Sequence, residues 1–185
     1  MTGEILTAAE KKMSKQVDFF KAELATIRAG RANPALVNDL MVDYYGTKTP
    51  LHQMASISAP EPRLLVIEPW DKNSLADVER AIMTSDLGIM PNNDGNVIRL
   101  AIPQLTEERR RDLVNMANRK AEENRVAVRN MRRDFNDQIK KAQREGEVSE
   151  DEARRLLDEV QKITDRNIDR IDEAMKQKEE EIMEV

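Results

Sequence analysis

Apolar residues recur every three or four positions in three long stretches of the chain, and this spacing predicts three amphipathic helices. The first runs from roughly Glu4 to Arg28. The second runs from about Thr106, whose hydroxyl can cap it, to Glu145, a length of about 58 Å. The third begins after a capping box at Ser149–Glu152. Each helix is apolar on one side only, so the three are expected to pack together.

Residues 35–105 show a different pattern, in which short β-type runs alternate with Gly and Pro. We predict strands within 42–45, 56–58, 64–67 and 97–100. One helix interrupts them, with Asn73 or Ser74 as its N-cap and Gly88 just past its end. Trp70, which follows a proline, is interpreted as a packing anchor. The stretch predicts a small α/β unit.

These elements predict the α+β class, with an elongated antiparallel three-helix bundle and a small mixed α/β domain inserted after the first helix. The bundle would be discontinuous and take residues 1–29 and 106–185, while the inserted domain takes 30–105. The chain crosses between them near 29–34 and 102–106. Few contacts can span two such crossings, so we expect the domains to move relative to each other.

Composition narrows the class of protein. Charged residues make up 35% of the chain and aromatic residues 3%, which favours slender helices over a thick globule. The chain has no cysteine, which excludes disulfides, and its N-terminus does not resemble a secretory signal. No apolar run is long enough to span a membrane, so the sequence predicts a cytoplasmic protein.

Catalytic and cofactor motifs are weak throughout. His52 is the single histidine, and no phosphate-binding glycine loop or nucleophile motif occurs. Asn92–Gly95 lacks the ligand spacing of a calcium loop and is interpreted as a turn. We therefore expect no enzymatic activity, no cofactor and no metal. A nuclease is the poorest alternative, because no metal-binding cluster is visible.

The net charge of −5 conceals an uneven distribution. Residues 106–145 hold 12 Lys and Arg against 8 Asp and Glu, whereas residues 146–185 hold 7 against 14. On a helical wheel of the second long helix, Arg125, Arg129, Arg132 and Arg133 lie roughly 120° from the core stripe. No acidic residue interrupts them. Phosphate suits such a stripe, because the guanidinium group donates two hydrogen bonds at once.

A salt-bridged, solvated face is the competing interpretation of the same arginines. Glu122, Glu123 and Asp134 flank the run, and the third helix could supply partners from Asp158, Asp165 or Asp169. The residues alone leave both interpretations open.

Several blocks resemble ribosome recycling factors, and they occur in order along the chain. The segment 27–34, IRAGRANP, is similar to the family's signature after the first helix, and 44–51, YYGTKTPL, to its first hairpin. Matching blocks also occur at 85–88, SDLG, at 103–110, PQLTEERR, and at 125–134, RVAVRNMRRD.

The resemblance implies a factor without an active site that recycles ribosomes after termination. It would bind the large ribosomal subunit and its rRNA. With elongation factor G, which hydrolyses GTP, it would split post-termination ribosomes. We expect a monomer that acts away from membranes. A helical adaptor or spacer that binds protein partners is the alternative, and it predicts binding with little salt dependence.

The resemblance also implies roles for particular residues. Arg132 is the first candidate for rRNA contact, with Arg129 beside it and Arg133 expected to matter least. The other predicted contacts are Arg28, Arg31, Arg110 and Arg125. The implied hinge residues are Gly30, Pro34, Pro103 and Leu105.

Overall fold

A computed structural model of the protein describes residues 2–184. Four α-helices and six β-strands follow one another in the order α1 (Thr2–Ala25), β1 (Met41–Tyr44), β2 (Thr47–Pro50), β3 (Ala55–Glu61), β4 (Leu64–Pro69), α2 (Leu75–Met83), β5 (Pro91–Asn93), β6 (Ile98–Ala101), α3 (Glu107–Arg144) and α4 (Glu150–Met183). The combination of long helices with a small antiparallel sheet confirms the predicted α+β class.

The chain folds as two compact units. One contains the residues up to Ala29 together with those from Glu107 onward, and the other is Gly30–Thr106. The first unit is a three-helix bundle of α1, α3 and α4. Among residues 2–184, no helix combines the length and apolar character needed to cross a membrane.

Side-chain pairs fix the direction of each helix in the bundle. Gln16 and Glu23 of α1 meet Asn124 and Lys120 of α3, so the pairing runs in opposite directions along the two helices. Glu10 and Asp18 of α1 meet Arg166 and Arg170 of α4, in the same direction. The helix α1 is therefore antiparallel to α3 and parallel to α4.

The connection between α3 and α4 has the chemistry that its sequence predicts. Gly146 has φ +75°, and the bond from Glu147 N to Ala142 O (2.9 Å) closes the end of α3. Ser149 then caps α4, since its Oγ accepts a hydrogen bond from Glu152 N at 3.1 Å. A connection this short forces the two helices to pack side by side in opposite directions.

The predicted apolar stripes form the core of the bundle, with Phe20, Val128, Ile139 and Ile171 among its buried side chains. Some predicted core positions, including Met131, are only half-buried. Four polar side chains are also buried inside the bundle; the helical period places Asn124 on the buried stripe of α3, but it does not identify the other three, which lie on α4. The four side chains are Asn124, Thr164, Asn167 and Lys178.

One polar group ties α1 to α3 across the bundle. Asn124 is 2% exposed, and its amide nitrogen donates to Glu23 Oε1 (2.9 Å) and to the Lys120 carbonyl (2.7 Å). Its oxygen accepts from Gln16 Nε2 at 2.6 Å. Lys120 Nζ adds a contact of 3.1 Å to Glu23. The Asn124 hydrogen bond, supported by Lys120, lowers the pKa of Glu23 despite the opposing effect of burial.

The second unit contains a β1–β2 hairpin and a four-stranded antiparallel sheet in the order β3-β4-β6-β5. Strand β4 is central, and its inward residues Leu65 and Ile67 are buried. They pack in one apolar core with Val78 and Ile82 of α2. Alternating burial along β4 and β6 gives the sheet one core face.

The structure changes three expectations for this unit. The pattern of apolar residues predicts neither β2 nor β5, because both strands consist of polar residues and proline; only the resemblance of 44–51 to a family hairpin implies β2. The helix α2 ends at Met83 with Thr84 as its C-cap, so the prediction that it reaches Gly88 is wrong. Trp70 is 70% exposed, so the packing-anchor interpretation is also wrong. Buried aliphatic residues on β4 fill the core instead.

Candidate nucleic-acid interface

Four arginines lie in the middle of α3, but they are not equally exposed. Arg133 is exposed, whereas Arg125, Arg129 and Arg132 are half-buried. The expected separation of about 120° from the core is too large. Arg132 is seven residues from the buried Ile139, so the two side chains leave the helix only about 20° apart. Arg132 therefore leaves α3 at the edge of the core.

Arg125 is tied to α4. Its Nε donates to Asp172 Oδ1 at 2.7 Å, and its Nη1 lies 3.2 Å from Glu122 Oε2. The side chain is only 22% exposed. With two carboxylates on one guanidinium group, Arg125 has its charge neutralised and helps to hold the two helices together.

Arg129 shares one of these acids. Its Nη1 lies 3.5 Å from the other oxygen of Glu122, and its side chain is 42% exposed. A single carboxylate at this distance on the surface neutralises the charge but holds the side chain weakly. Arg129 is therefore accessible to an incoming anion, provided that Glu122 releases it.

Arg132 is held by a neutral group. Its Nη1 donates to the side-chain oxygen of Gln161 on α4 at 3.0 Å. The Gln161 amide nitrogen in turn donates to Asp165 at 2.8 Å, which fixes the orientation of the amide. The Nε of Arg132 is buried without a hydrogen-bond partner among the described residues. The guanidinium group is thus oriented by α4 while its positive charge is left uncompensated.

Arg133 is also without an acidic partner in the described part of the chain. Its Nη1 is 3.4 Å from Asn130 Oδ1, on the same helix. No residue of α4 orients it, in contrast to Arg132. Arg133 therefore adds positive charge to the surface without a fixed direction.

These contacts correct the expectation of an arginine run without neutralising acids. Two of the four arginines are ion-paired, and the acids that pair them are Glu122 and Asp172. The helix α4 supplies one of these partners, Asp172, but this is not one of the three aspartates considered from the sequence. Of those, Asp165 acts indirectly, through Gln161. Uncompensated charge is concentrated toward Arg132 and Arg133.

The remaining predicted contacts are distributed over both units. Arg28 is exposed just after α1, in the helical unit. Arg110 is half-buried in the first turn of α3, and its Nε is buried without a partner among residues 2–184. Arg31 is exposed and belongs to the second unit. The helical unit therefore carries all of the predicted arginines except Arg31.

The predicted hinge residues have clear local environments in the second unit. Gly30 has φ +76°, and a Cβ placed there would lie 2.8 Å from Leu105 Cγ. The two chain connections therefore run side by side, and no larger residue fits at Gly30 without a shift. Pro34 begins a 3₁₀ turn that Asn33 caps through its side chain. Pro103 is exposed.

Within the described residues, no group of three or more His, Cys, Asp or Glu side chains is arranged to hold a metal ion. His52 is exposed, and its Nδ1 lies 2.9 Å from the carbonyl oxygen of Asn38. The candidate site is therefore a basic surface on α3, in which one charged arginine, Arg132, is oriented by a side chain of α4. Such a surface can bind phosphate groups.

Comparisons with known proteins agree over nearly the whole chain. A family model described as ribosome recycling factor matches residues 20–183. A ribosome-recycling factor of Natranaerobius thermophilus is 58% identical over 178 residues, which cover 96% of this chain and 97% of that one. One from Halalkalibacterium halodurans is 56% identical over 185 residues and the full length of both chains.

Two solved structures are similar in fold as well as sequence. The solution structure of a ribosome recycling factor matches with a TM-score of 0.76 and 44% identity, covering 100% of this chain and 98% of that one. The second comes from models of the T. thermophilus ribosome recycling factor and the E. coli elongation factor G bound to the E. coli post-termination complex. It matches with a TM-score of 0.64 and 46% identity over 99% of both chains.

Proposed function

Because this chain belongs to the ribosome recycling factor family, we propose that α3 binds the RNA of the large ribosomal subunit, with Arg132 as the principal contact. The chain recycles ribosomes after translation termination. It does so on the post-termination complex together with elongation factor G, as the similar factor bound there suggests. Elongation factor G hydrolyses the GTP, and this chain contributes binding rather than catalysis. It acts in the cytoplasm, as a single copy.

The observation that carries this proposal is the contact between Arg132 and Gln161. A neutral amide orients the guanidinium group without cancelling its charge, so no ion pair has to break before a phosphate binds. Of the other three arginines in the α3 stripe, Arg125 and Arg129 are ion-paired, and Arg133 contacts only Asn130 of its own helix among the described residues. This difference supports ranking Arg132 first.

The remaining arginines take graded roles in the same proposal. Arg129 is second, because it is accessible but must leave Glu122. Arg133 and Arg28 add exposed charge, which steers the factor toward RNA and strengthens binding at low salt. Arg125 chiefly fixes α3 against α4 through Asp172. Arg31 and Arg110 are further contacts in the proposal.

Binding of the Arg132→Ala variant to isolated large subunits tests this assignment. Loss of a charge-assisted contact predicts an affinity about tenfold to a hundredfold weaker. The slope of log affinity against log salt concentration should become shallower by about 0.7 to 0.9, the contribution of one phosphate. Helicity measured by circular dichroism should stay unchanged.

Arg155→Ala is the matched control for this experiment. Arg155 is exposed on α4 and has no ion pair within residues 2–184, so its loss removes the same charge from another surface. It should leave binding within about twofold of the unchanged protein, the scale of a surface charge effect. Equal losses in the two variants would show that net charge, rather than Arg132, determines binding.

We further propose that the chain bends where it passes between the two units. In the second unit, Ala32 N donates to Pro62 O (2.7 Å) and Ile102 N donates to Arg63 O (2.8 Å). These bonds anchor both connections to the β3–β4 turn. Bending therefore falls before Ala32 and after Ile102. The first of these two stretches includes Gly30, and the second includes Pro103 and Leu105. Pro34 lies beyond Ala32 and stiffens the start of the second unit.

The bending has a role in splitting only if it coincides with a change in ribosome affinity. A factor shifts ribosomes toward separated subunits when it binds the strained or separated state more tightly than the joined one. Elongation factor G supplies the driving step in this scheme. Light scattering of post-termination ribosomes, with and without elongation factor G and GTP, measures the splitting. Full splitting by this chain alone would contradict the scheme.

A further inference from the structure

Glu122 precedes the α3 arginines in sequence and contacts two of them. One carboxylate oxygen lies 3.2 Å from Arg125 Nη1, and the other lies 3.5 Å from Arg129 Nη1. The acid itself is 57% exposed. Arg125 has a second and shorter contact to Asp172 at 2.7 Å. Glu122 is therefore dispensable for holding Arg125, but it is the only acid that pairs with Arg129 among the described residues.

A carboxylate in this position resembles the ligand that the surface is expected to bind. Carboxylate and phosphate oxygens accept the same pair of guanidinium hydrogen bonds, so they compete for one arginine. Phosphate can reach Arg129 only when Glu122 gives it up or stays beside it as an unfavourable like charge. The pair is exposed and long, so the exchange is reversible.

We propose that Glu122 is a built-in competitor for phosphate, which lowers the affinity of α3 for ribosomal RNA by occupying Arg129. The inference rests on the proposed RNA-binding role of α3. It divides the arginines into two groups. Arg132 is oriented and ready to bind, whereas Arg129 is available only by exchange.

This arrangement suits a protein that has to leave its partner after each cycle. Differences in affinity between closely related complexes arise mainly from dissociation rates. An acid that re-forms its pair with Arg129 as the phosphate leaves therefore shortens the residence time on the subunit. The family's recycling role needs repeated release, and a surface of fully available arginines would oppose it.

Glu122→Gln tests the proposal with little change in side-chain shape. We expect this variant to bind large subunits about twofold to fivefold more tightly. This fold-change corresponds to the free energy of an exposed ion pair that no longer has to be broken on binding. Most of the gain should appear as slower dissociation. The salt slope should steepen by up to about 0.7 to 0.9, because one more arginine is available to phosphate.

Two comparisons separate competition from a general charge effect. Glu123→Gln makes the same charge change at the next position, where the exposed side chain has no ion pair within residues 2–184. It should gain much less affinity. In an Arg129→Ala background, Glu122→Gln should give no gain, because the arginine for which it competes is missing.

The outcomes are distinct. Unchanged or weaker binding by Glu122→Gln overturns the inference, and weaker binding would mean that Glu122 orients Arg129 for RNA. Equal gains from Glu122→Gln and Glu123→Gln, or an undiminished gain without Arg129, also overturn it. If Arg132→Ala weakens binding in the same assay, the proposed interface stands and only the role of Glu122 fails. If Arg132→Ala has no effect, the proposed interface fails as well.

Discussion

The buried amide of Asn124 gives the clearest quantitative prediction for the stability of the bundle. Asn124→Ala removes a hydrogen bond to the Glu23 carboxylate and one from Gln16. A bond to a charged group contributes about 1.5 to 3 kcal/mol, and a neutral one contributes about 1 kcal/mol. Alanine regains about 0.5 kcal/mol through its higher helix propensity. Water can also reach the partly exposed partners, so we expect a net loss of about 2 kcal/mol.

The same variant should change how stability depends on pH. The folded-state pKa of Glu23 lies below its ordinary value of 4.5, and the bond from Asn124 is the largest cause. A depressed carboxyl pKa stabilises the fold above the unfolded-state value. That stabilisation is lost as the pH falls from about 4.5 through the folded-state pKa. Without Asn124, the loss of stability on acidification below about pH 4.5 should become shallower.

Urea denaturation between neutral pH and pH 3 measures both effects. Asn118→Ala is the control, because Asn118 is exposed on the same helix and its side chain makes no hydrogen bond within residues 2–184. That control should be neutral or slightly stabilising. A loss below about 0.5 kcal/mol in Asn124→Ala, or an unchanged acid profile, would refute the assigned role of this network.

Two further predictions concern the second unit. Gly30→Ala should lower the free energy of unfolding by about 1 to 3 kcal/mol in thermal or urea denaturation, since a positive φ and a neighbouring side chain both oppose a Cβ. Gly3→Ala, in the open first turn of α1, is the control and should not destabilise; equal effects at both glycines would contradict the argument. Asp71→Asn should lower the raised pKa of Tyr45, whose hydroxyl donates to that carboxylate at 2.8 Å. Absorbance titration of the two tyrosines tests this, and an unchanged curve would refute the assigned cause.

The balance between sequence and structure differs between the two units. The three long helices and the Ser149 cap of α4 follow from local spacing, because the helical period and the capping bond involve residues close in sequence. In the second unit, β2 forms by pairing with β1, and β5 forms by pairing with β6. The local pattern of apolar and polar residues does not predict these pairings. The exposed position of Trp70 also depends on which other residues fill the core.

The amino-acid sequence alone predicts that arginines cluster on α3 and that the bundle needs all three helices. It did not determine which arginines keep their charge. That depends on α4, where Asp172 neutralises Arg125 and Gln161 orients Arg132. Composition and periodicity describe one helix at a time, whereas an ion pair forms only when two helices pack in one register. The tertiary structure therefore decided the ranking within the arginine surface, because partners 29 and 47 residues away in sequence come within hydrogen-bond distance only after folding.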